Sequence, residues 1–238
     1  MIATKFVTNT DARRGSSLVK RDIAEFPVAR PNDLPTVELI ELYSAIEYAL
    51  SSPQGSVVQL VSPDSDAAAE RIGFQLARAG AAVLGKRVLL LRHRMIDDDP
   101  AHPRAIHPPP RPPTNGYRDL KQSMVRIGGL DIFLANLGDW RPGRGPLTAL
   151  EELDRQFDEL RGLLDMVLIV APPADRDPSG IVMARHVDGN VIVVEAEHSR
   201  AAAAIRLRET LSRSGRPILG SVLTERRQYI PRWLARFL

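Results

Sequence analysis

The clearest pattern of hydrophobic and polar positions lies in residues 56–94. Residues 57–61 are a short run of mostly Val and Leu, which is typical of a strand buried on both faces. Apolar side chains then recur at helical spacing after Asp66, which we expect to be the N-cap of that helix. Gly85 ends the helix, and residues 87–91 form a second buried strand. The pattern predicts a βαβ unit whose parallel strands are joined by a right-handed crossover.

Strands and helices continue to alternate along the rest of the chain. Further strands are predicted over residues 129–136, 165–173, 190–194 and 217–223, and further helices over residues 36–50, 150–164, 179–188 and 201–214. This alternation predicts an α/β fold with a doubly wound, mostly parallel sheet and helices on both faces. We expect residues 1–35 to be a flexible N-terminal extension, and residues 36–238 to be a single domain with a Pro-rich loop at 97–116.

Composition then narrows the classes of protein that the pattern allows. At 238 residues the chain is long enough for one sizeable α/β domain. The absence of cysteine excludes disulfides and thiolate chemistry and fits a cytoplasmic protein. No apolar run approaches the roughly 18–20 residues that a membrane span requires. The formal net charge is only +3 and the chain has no nucleic-acid-binding motif, so we expect no nucleic-acid partner.

The turn after the first strand, SPDSDAAAER, and the second strand, VLLLRHR, carry a resemblance to a known family. They resemble the kinase domain of the bacterial tyrosine kinases of capsular exopolysaccharide export, which belong to the MinD-like P-loop ATPases. Ser62 matches the serine that opens the family's phosphate-binding turn, and residues 76–77 and 88–90 match its helix and its second strand. The resemblance covers residues 36–231 and implies a P-loop NTPase-like fold.

The same resemblance indicates a degenerate nucleotide site, because the residues that bind phosphate and metal are replaced. The loop glycines become Asp66 and Ala68, the lysine becomes Ala69, the threonine becomes Glu70, the acids after the second strand become Arg92 and Arg94, the acid of the later strand becomes Val170, and the asparagine near the adenine pocket becomes Thr224. Asp64, Asp66 and Glu70 also place three negative charges where a triphosphate would lie. We therefore expect no catalytic residue, no metal site, no bound ATP or Mg²⁺, and no phosphoryl transfer.

The sequence leaves open the role of the cleft in which the family binds its nucleotide, because three arginines are expected there. Arg71, Arg92 and Arg94 are suited to attracting an anion such as a sugar phosphate, since α/β folds bind ligands at the carboxyl ends of their strands. The alternative is that they pair with the three acids of the turn and close the site. A further alternative is an ATPase or kinase of altered chemistry, in which a guanidinium replaces Mg²⁺ against a phosphate.

The predicted helix over residues 36–50 bears on partners. In the tyrosine kinases the equivalent helix carries an ExxRxxR motif that packs one subunit against the next. Here its register gives Glu41, Ser44 and Glu47, so the first acid is present and both arginines are absent. These three residues are candidates for binding a different partner, while an ordinary amphipathic helix with exposed acids is the alternative.

These observations predict a non-catalytic, pseudo-tyrosine-kinase-like protein rather than an enzyme. It would act as a scaffold or regulator in bacterial exopolysaccharide biosynthesis or export. The resemblance implies docking on a membrane polysaccharide co-polymerase (Wzz-like) or another export-system protein, and a homo- or hetero-oligomer. The predicted location is the cytoplasm, at the inner membrane through that partner.

Overall fold

The computed structural model describes five stretches of the chain, residues 36–92, 120–127, 129–137, 146–196 and 198–224. Three predictions fall outside them: the N-terminal extension, the Pro-rich loop and the position of Arg94. In the part of the chain that is described, no helix is long and apolar enough to span a bilayer.

A seven-stranded sheet forms the centre of the fold, with the strand order β3-β4-β2-β5-β1-β6-β7. The strands are β1 Ser56–Val61, β2 Val88–Arg92, β3 Val125–Ile127, β4 Ile132–Asn136, β5 Met166–Val170, β6 Gly189–Glu195 and β7 Ile218–Thr224. Every neighbouring pair is parallel except β3 and β4, which pair antiparallel at one edge. The predicted doubly wound, mostly parallel sheet is therefore confirmed.

Helices cover both faces of this sheet. They are α1 Val37–Leu50, α2 Asp66–Arg78, α3 Leu120–Ser123, α4 Pro146–Arg161, α5 Ser179–Met183 and α6 Ala201–Ser212, with a π-helical segment Ala79–Val83 continuing α2. Side chains alternate between the faces along each strand. One face packs against α2, and the opposite face packs against α4, α5 and α6. This two-sided cover explains why β1, β2 and β5 are buried at every position.

The close approach of α2 to the sheet depends on Gly73. A Cβ atom at this position would lie 2.9 Å from Val170 Cγ2, 3.0 Å from Leu60 Cδ1 and 3.1 Å from Leu90 Cδ1. A larger residue would overlap with three neighbouring strands at once, so the glycine lets the helix lie directly on β1, β2 and β5. The first turn of α2 is thereby held at the carboxyl ends of these strands.

The helix start at this turn differs from the prediction. Ser65, not Asp66, is the N-cap: its backbone is extended (φ −133°, ψ 120°) and its Oγ accepts a hydrogen bond from the Ala68 amide at 3.4 Å. Asp66 is the first residue of α2. The extended backbone of Ser65 is stabilised by its own amide, which donates to Ser62 Oγ at 3.1 Å. The second strand also begins and ends one residue later than predicted.

Several other elements differ from the sequence-based prediction. The helix predicted over 150–164 is α4, Pro146–Arg161, and the strands predicted over 129–136 and 165–173 are the shorter β4 and β5. The predicted helix over 179–188 is the single turn α5, which ends at Met183. The chain then turns toward β6, and the Asp188 carboxylate accepts from the Val57 amide at 2.8 Å and from Arg161 Nε at 3.0 Å. The edge strand β3 and the short helix α3 were not predicted, and both are too short to show a periodic pattern.

The π-helical segment after α2 was not predicted either. It begins where Gly80 lies against the ring of Tyr43, so close that a Cβ would be 2.5 Å from the ring. Gly85 follows with a φ of +65°, a conformation that favours glycine, and it ends the helical region as predicted.

Candidate functional site

The candidate site lies where β1 turns into α2, at the carboxyl ends of the central strands. In doubly wound sheets this edge is where ligands bind. Leu60 is in register with Val170 on β5, and Val170 is in register with Arg92 on β2. Glu70, on the second turn of α2, reaches Arg92. The fold therefore brings Glu70, Arg92 and Val170 together, as the resemblance implies.

A buried ion pair lies where the family's metal-binding groups would be. Arg92 Nη2 is 3.2 Å from Glu70 Oε2, and the two side chains are 5% and 19% exposed. Glu70 matches the family's threonine, and Arg92 matches the first acid after its second strand. Of the three roles proposed from the sequence for Arg92, the structure contains the internal pairing with Glu70.

Asp64 links the turn to a different part of the chain, the residues just before α6. Its Oδ1 accepts a hydrogen bond from Ser199 Oγ at 2.6 Å, and its Oδ2 accepts from the Arg200 amide at 3.3 Å. Asp64 is therefore bound by Ser199 and the Arg200 amide and not by Arg92, while Arg94 lies outside the described residues. The carboxylate binds instead to the turn that precedes α6, because a helix start offers donors whose charge distribution favours an anion.

The backbone of the turn is also engaged by the loop that follows β5. The Ala174 amide donates to the Ser62 carbonyl at 3.1 Å, and the Asp175 amide donates to the Pro63 carbonyl at 3.1 Å. Within the turn, the amides of Ser65 and Ala68 donate to serine hydroxyls. A phosphate-binding loop needs such amides directed at its ligand. In this turn two of them are used internally.

The remaining predicted positions add no phosphate-binding group. Ala68 and Ala69 are fully buried, so both contribute to the apolar core beneath the helix. Val170 is 5% exposed and presents a methyl surface where the family has a carboxylate. Thr224 is buried at the end of β7, in register with Glu195 of β6, so it lies at the far edge of the sheet. Among the described residues, no group of three His, Asp or Glu side chains is placed to hold a metal ion.

The candidate partner-binding residues on α1 separate into two groups. Glu41 and Ser44 are exposed, and they lie on the same side of the helix as Val37 and Tyr48, which are 66% and 84% exposed. Glu47 lies on the flank of the helix and forms an ion pair with Lys86 beside the π-helical segment. We call Val37, Glu41, Ser44 and Tyr48 the α1 outer face.

Sequence reasoning missed the hydrogen bonds by which three serines hold the turn, although it had named Ser62. Ser62 and Ser65 accept from backbone amides inside it, and Ser199 binds Asp64 across a separation of 135 residues. The SPDS sequence of the turn carried a signal, since Ser and Asp favour local hydrogen bonds to the backbone. Ser199 carried none, because only the sheet order brings it near Asp64.

Comparison with known proteins found a relative in sequence and solved structures of similar fold. No protein-family profile matches the chain. It is 28% identical over 101 residues to the putative tyrosine-protein kinase CapB of Staphylococcus aureus, which is 42% of this chain and 43% of CapB, so it spans less than half of that relative.

Two solved structures show the likeness in fold. One is the kinase domain of the Escherichia coli tyrosine kinase ETK, with a TM-score of 0.58 and 14% identity over 80% of this chain and 77% of that one. The other is the cell division ATPase MinD of Pyrococcus furiosus, with a TM-score of 0.52 and 18% identity over 77% of this chain and 78% of that one. The chain is thus similar in sequence, over less than half of its length, to a putative bacterial tyrosine kinase, and it has the α/β fold of the ETK kinase domain and of MinD.

Proposed function

We propose that this protein is a non-catalytic relative of the tyrosine kinases. It acts as a scaffold or regulator in bacterial exopolysaccharide biosynthesis or export, docked on a membrane polysaccharide co-polymerase. The observation that carries the proposal is the buried ion pair between Glu70 and Arg92. A pair of charged side chains fills the space that a kinase needs for its metal ion and phosphates.

The contacts made by the turn between β1 and α2 give an energetic argument against nucleotide binding. A triphosphate would have to break the ion pair, displace Asp64 from Ser199, and free amides that now donate to serine hydroxyls. It would also meet carboxylates instead of a lysine, and each such like-charge contact costs on the order of 1 kcal/mol or more. Binding energy from other contacts would have to exceed all of these terms.

The same geometry argues against Mg²⁺ at this place. Mg²⁺ prefers oxygen ligands in octahedral geometry, supplied by carboxylates and phosphates. Val170 offers no oxygen, and the carboxylate of Glu70 is already paired with a guanidinium. Phosphoryl transfer depends on positioning and on neutralising charge, and neither is provided by this set of residues.

The α1 outer face is the surface that we assign to the protein partner. Its exposed Tyr48 and Val37 flank Glu41, and interfaces are enriched in aromatic side chains at their core and polar at their rim. Because α1 carries Glu41 without the arginines of the family's motif, a contact between the α1 helices of two copies lacks charge complementarity. We therefore propose a different protein with a basic contact surface, in keeping with the docking that the family resemblance implies.

Nucleotide binding is the first test. We would titrate the purified protein with ATP and ADP, with and without Mg²⁺, by calorimetry and thermal shift, and assay tyrosine autophosphorylation alongside an active bacterial tyrosine kinase. The expected result is no heat, no shift in the thermal midpoint and no incorporated phosphate. Clear ATP hydrolysis or autophosphorylation would overturn the proposal of a non-catalytic protein.

Partner docking needs a separate test. We would measure co-purification with a polysaccharide co-polymerase of the source organism, for the native protein and for Glu41→Arg. The control is Glu151→Arg, which makes the same charge change at an exposed position of α4. We expect Glu41→Arg to lose the partner and the control to retain it. Equal retention by both variants would reject the α1 outer face as the docking surface.

A further inference from the structure

Exposed arginines are concentrated on α6 and its flanking turns. Residues 199–216, which comprise α6 and its flanking turns, contain five arginines and one acid, Glu209. Together with the residue two positions after α5, they form what we call the arginine surface, consisting of Arg185, Arg200, Arg206, Arg208, Arg213 and Arg216. All of its members are exposed. Within the described stretches of the chain, none of them forms an ion pair with a carboxylate.

The arginines of α4 behave differently. Arg155 pairs with Glu152 and Glu159, and Arg161 pairs with Asp158 and Asp188. The acids of α4 are thus largely neutralised within their own helix and by its neighbours. A second copy of the chain therefore offers the arginine surface few unpaired acids on α4, which argues against an α4-to-α6 contact between copies.

Hydrogen bonds hold part of the arginine surface in a fixed arrangement. Arg216 Nε donates to the Arg185 carbonyl at 3.1 Å, which places the turn after α6 beside the end of α5. Arg206 Nε donates to the Ala202 carbonyl at 3.3 Å within α6. Arg213 lies two helical turns beyond Arg206, so these two side chains emerge on the same side of the helix. Since Nε makes each bond, the terminal Nη groups of Arg206 and Arg216 are left for a ligand.

Exposed apolar side chains lie on the same side of the sheet. Ile205 of α6 is 52% exposed and Leu223 of β7 is 58% exposed. Leu223 is in register with Val194, which packs against the cluster that contains Leu207 of α6. The surface therefore combines guanidinium groups with aliphatic side chains, instead of being uniformly polar.

We propose that the arginine surface binds the anionic headgroups of a lipid membrane. Guanidinium groups match phosphate oxygens in geometry and are less strongly hydrated than ammonium groups. Clusters of four to eight basic residues are the usual range for anionic lipid recognition. Exposed aliphatic side chains add a second, apolar contribution at the interface. This inference goes beyond the proposed scaffold role and does not depend on it, because lipid vesicles contain no protein partner.

Vesicle binding tests the inference. We would sediment the full-length protein with vesicles of phosphatidylcholine alone and of phosphatidylcholine with phosphatidylglycerol, at low ionic strength and at about 0.15 M salt. We expect binding to the anionic vesicles only, and weaker binding at the higher salt. The salt dependence of the native protein is a readout that requires no variant.

A pair of substitutions then locates the binding surface. Arg206→Gln/Arg213→Gln should lower the partition coefficient by about 25-fold, since each arginine near an anionic surface contributes about fivefold. The matched control, Arg126→Gln/Arg155→Gln, removes the same charge from exposed positions on β3 and α4 and should change binding by about twofold or less. Equal thermal midpoints will show that both variants are folded.

Three outcomes would overturn the inference. These are equal loss of binding in the two double variants, equal binding to neutral and anionic vesicles, and retention of a duplex DNA by the arginine surface with no retention of vesicles. The first would indicate a net-charge effect, the second an apolar attachment elsewhere in the chain, and the third a polyanion site of another class. None of these outcomes bears on the nucleotide titration or on docking through α1.

Discussion

The ion pair between Glu70 and Arg92 makes the most direct prediction about stability. Arg92→Met removes the guanidinium and keeps a side chain of similar length, so most of the packing volume is retained. The Glu70 carboxylate then remains on α2 with its charged partner absent, in a place where its side chain is only 19% exposed. An isolated carboxylate in such a place is either poorly hydrated or protonated, and both states raise the free energy of the folded protein.

The expected magnitude follows from the burial of the pair. Removing one partner of a buried ion pair typically costs 3–5 kcal/mol in the free energy of unfolding, by the general range for such pairs. Glu70 retains some contact with water, so we expect about 3 kcal/mol, at the lower end. For a domain of about 200 residues, 1 kcal/mol shifts the thermal midpoint by about 2–4 °C. Arg92→Met should therefore lower the midpoint by about 6–12 °C.

A double-mutant cycle separates the pair from the packing around it. Glu70→Leu should destabilise by a similar amount, because it leaves the guanidinium of Arg92 in a buried position. The combined variant should return to within about 1 kcal/mol of the native protein, or exceed it, since an apolar pair often replaces a buried ion pair without loss. We would measure urea unfolding of all four proteins by circular dichroism. Additive losses in the double variant, or single variants of native stability, would refute the reasoning.

Other contacts make predictions of the same kind. Burial raises the pKa of Tyr43, and the charges of Glu47 and Asp165 add to this effect. The folded state therefore holds this proton more tightly, and the resulting stability is present below about pH 10 and lost as the pH rises further. Tyr43→Phe should reduce that alkaline loss in urea unfolding and leave stability at pH 7 unchanged or higher, since the hydroxyl has no hydrogen-bond partner among the described residues. Gly73→Val should cost about 2–3 kcal/mol through overpacking of α2 on the sheet. Asp188→Asn should cost about 2 kcal/mol, because its carboxylate accepts bonds from one backbone amide and one guanidinium.

Each of these predictions has a matched control. Tyr48→Phe changes a hydroxyl that is on an 84% exposed residue and should leave the pH dependence as it is. Gly162→Val adds a side chain where the nearest atom to a Cβ is 3.5 Å away, so it should cost less than about 1 kcal/mol. Asp158→Asn alters a surface ion pair whose acid is 75% exposed, which should change stability by less than about 1 kcal/mol. If a control loses as much stability as its test variant, the assigned contact is not the cause.

The sheet was predictable because its central strands are buried on both faces. A strand covered by helices on each side must be apolar at nearly every position, and this leaves a continuous run that the sequence shows directly. The runs at 57–61 and 166–170 are of this kind; the first strand was predicted to within one residue, and the second, predicted over 165–173, ends three residues earlier at Val170. The strand β3 lies at the edge and is only partly buried, so its three residues carry no comparable signal.

The candidate site was predictable only in part, for a physical reason. The identity of the replaced residues follows from alignment along one loop and one helix, which are local in sequence. The partners that hold these residues are not local, as the bond between Asp64 and Ser199 shows. Whether Arg92 binds an external anion or an internal acid depends on how far α2 lies from β2, and that distance is set by Gly73.

The residues at positions 70 and 92 depend on each other. An arginine at position 92 with a threonine at position 70 would bury a guanidinium without a charged partner, and a glutamate at 70 with an aspartate at 92 would place two carboxylates together. The combination that the chain has, Glu70 with Arg92, places opposite charges 3.2 Å apart in the same closed space. The pair therefore stabilises a fold without its ligand, whereas in a nucleotide-binding relative the ligand and its metal would fill that space. The scaffold proposed above would thereby keep its surfaces in one arrangement with or without ATP, which is the property that a constitutive scaffold needs.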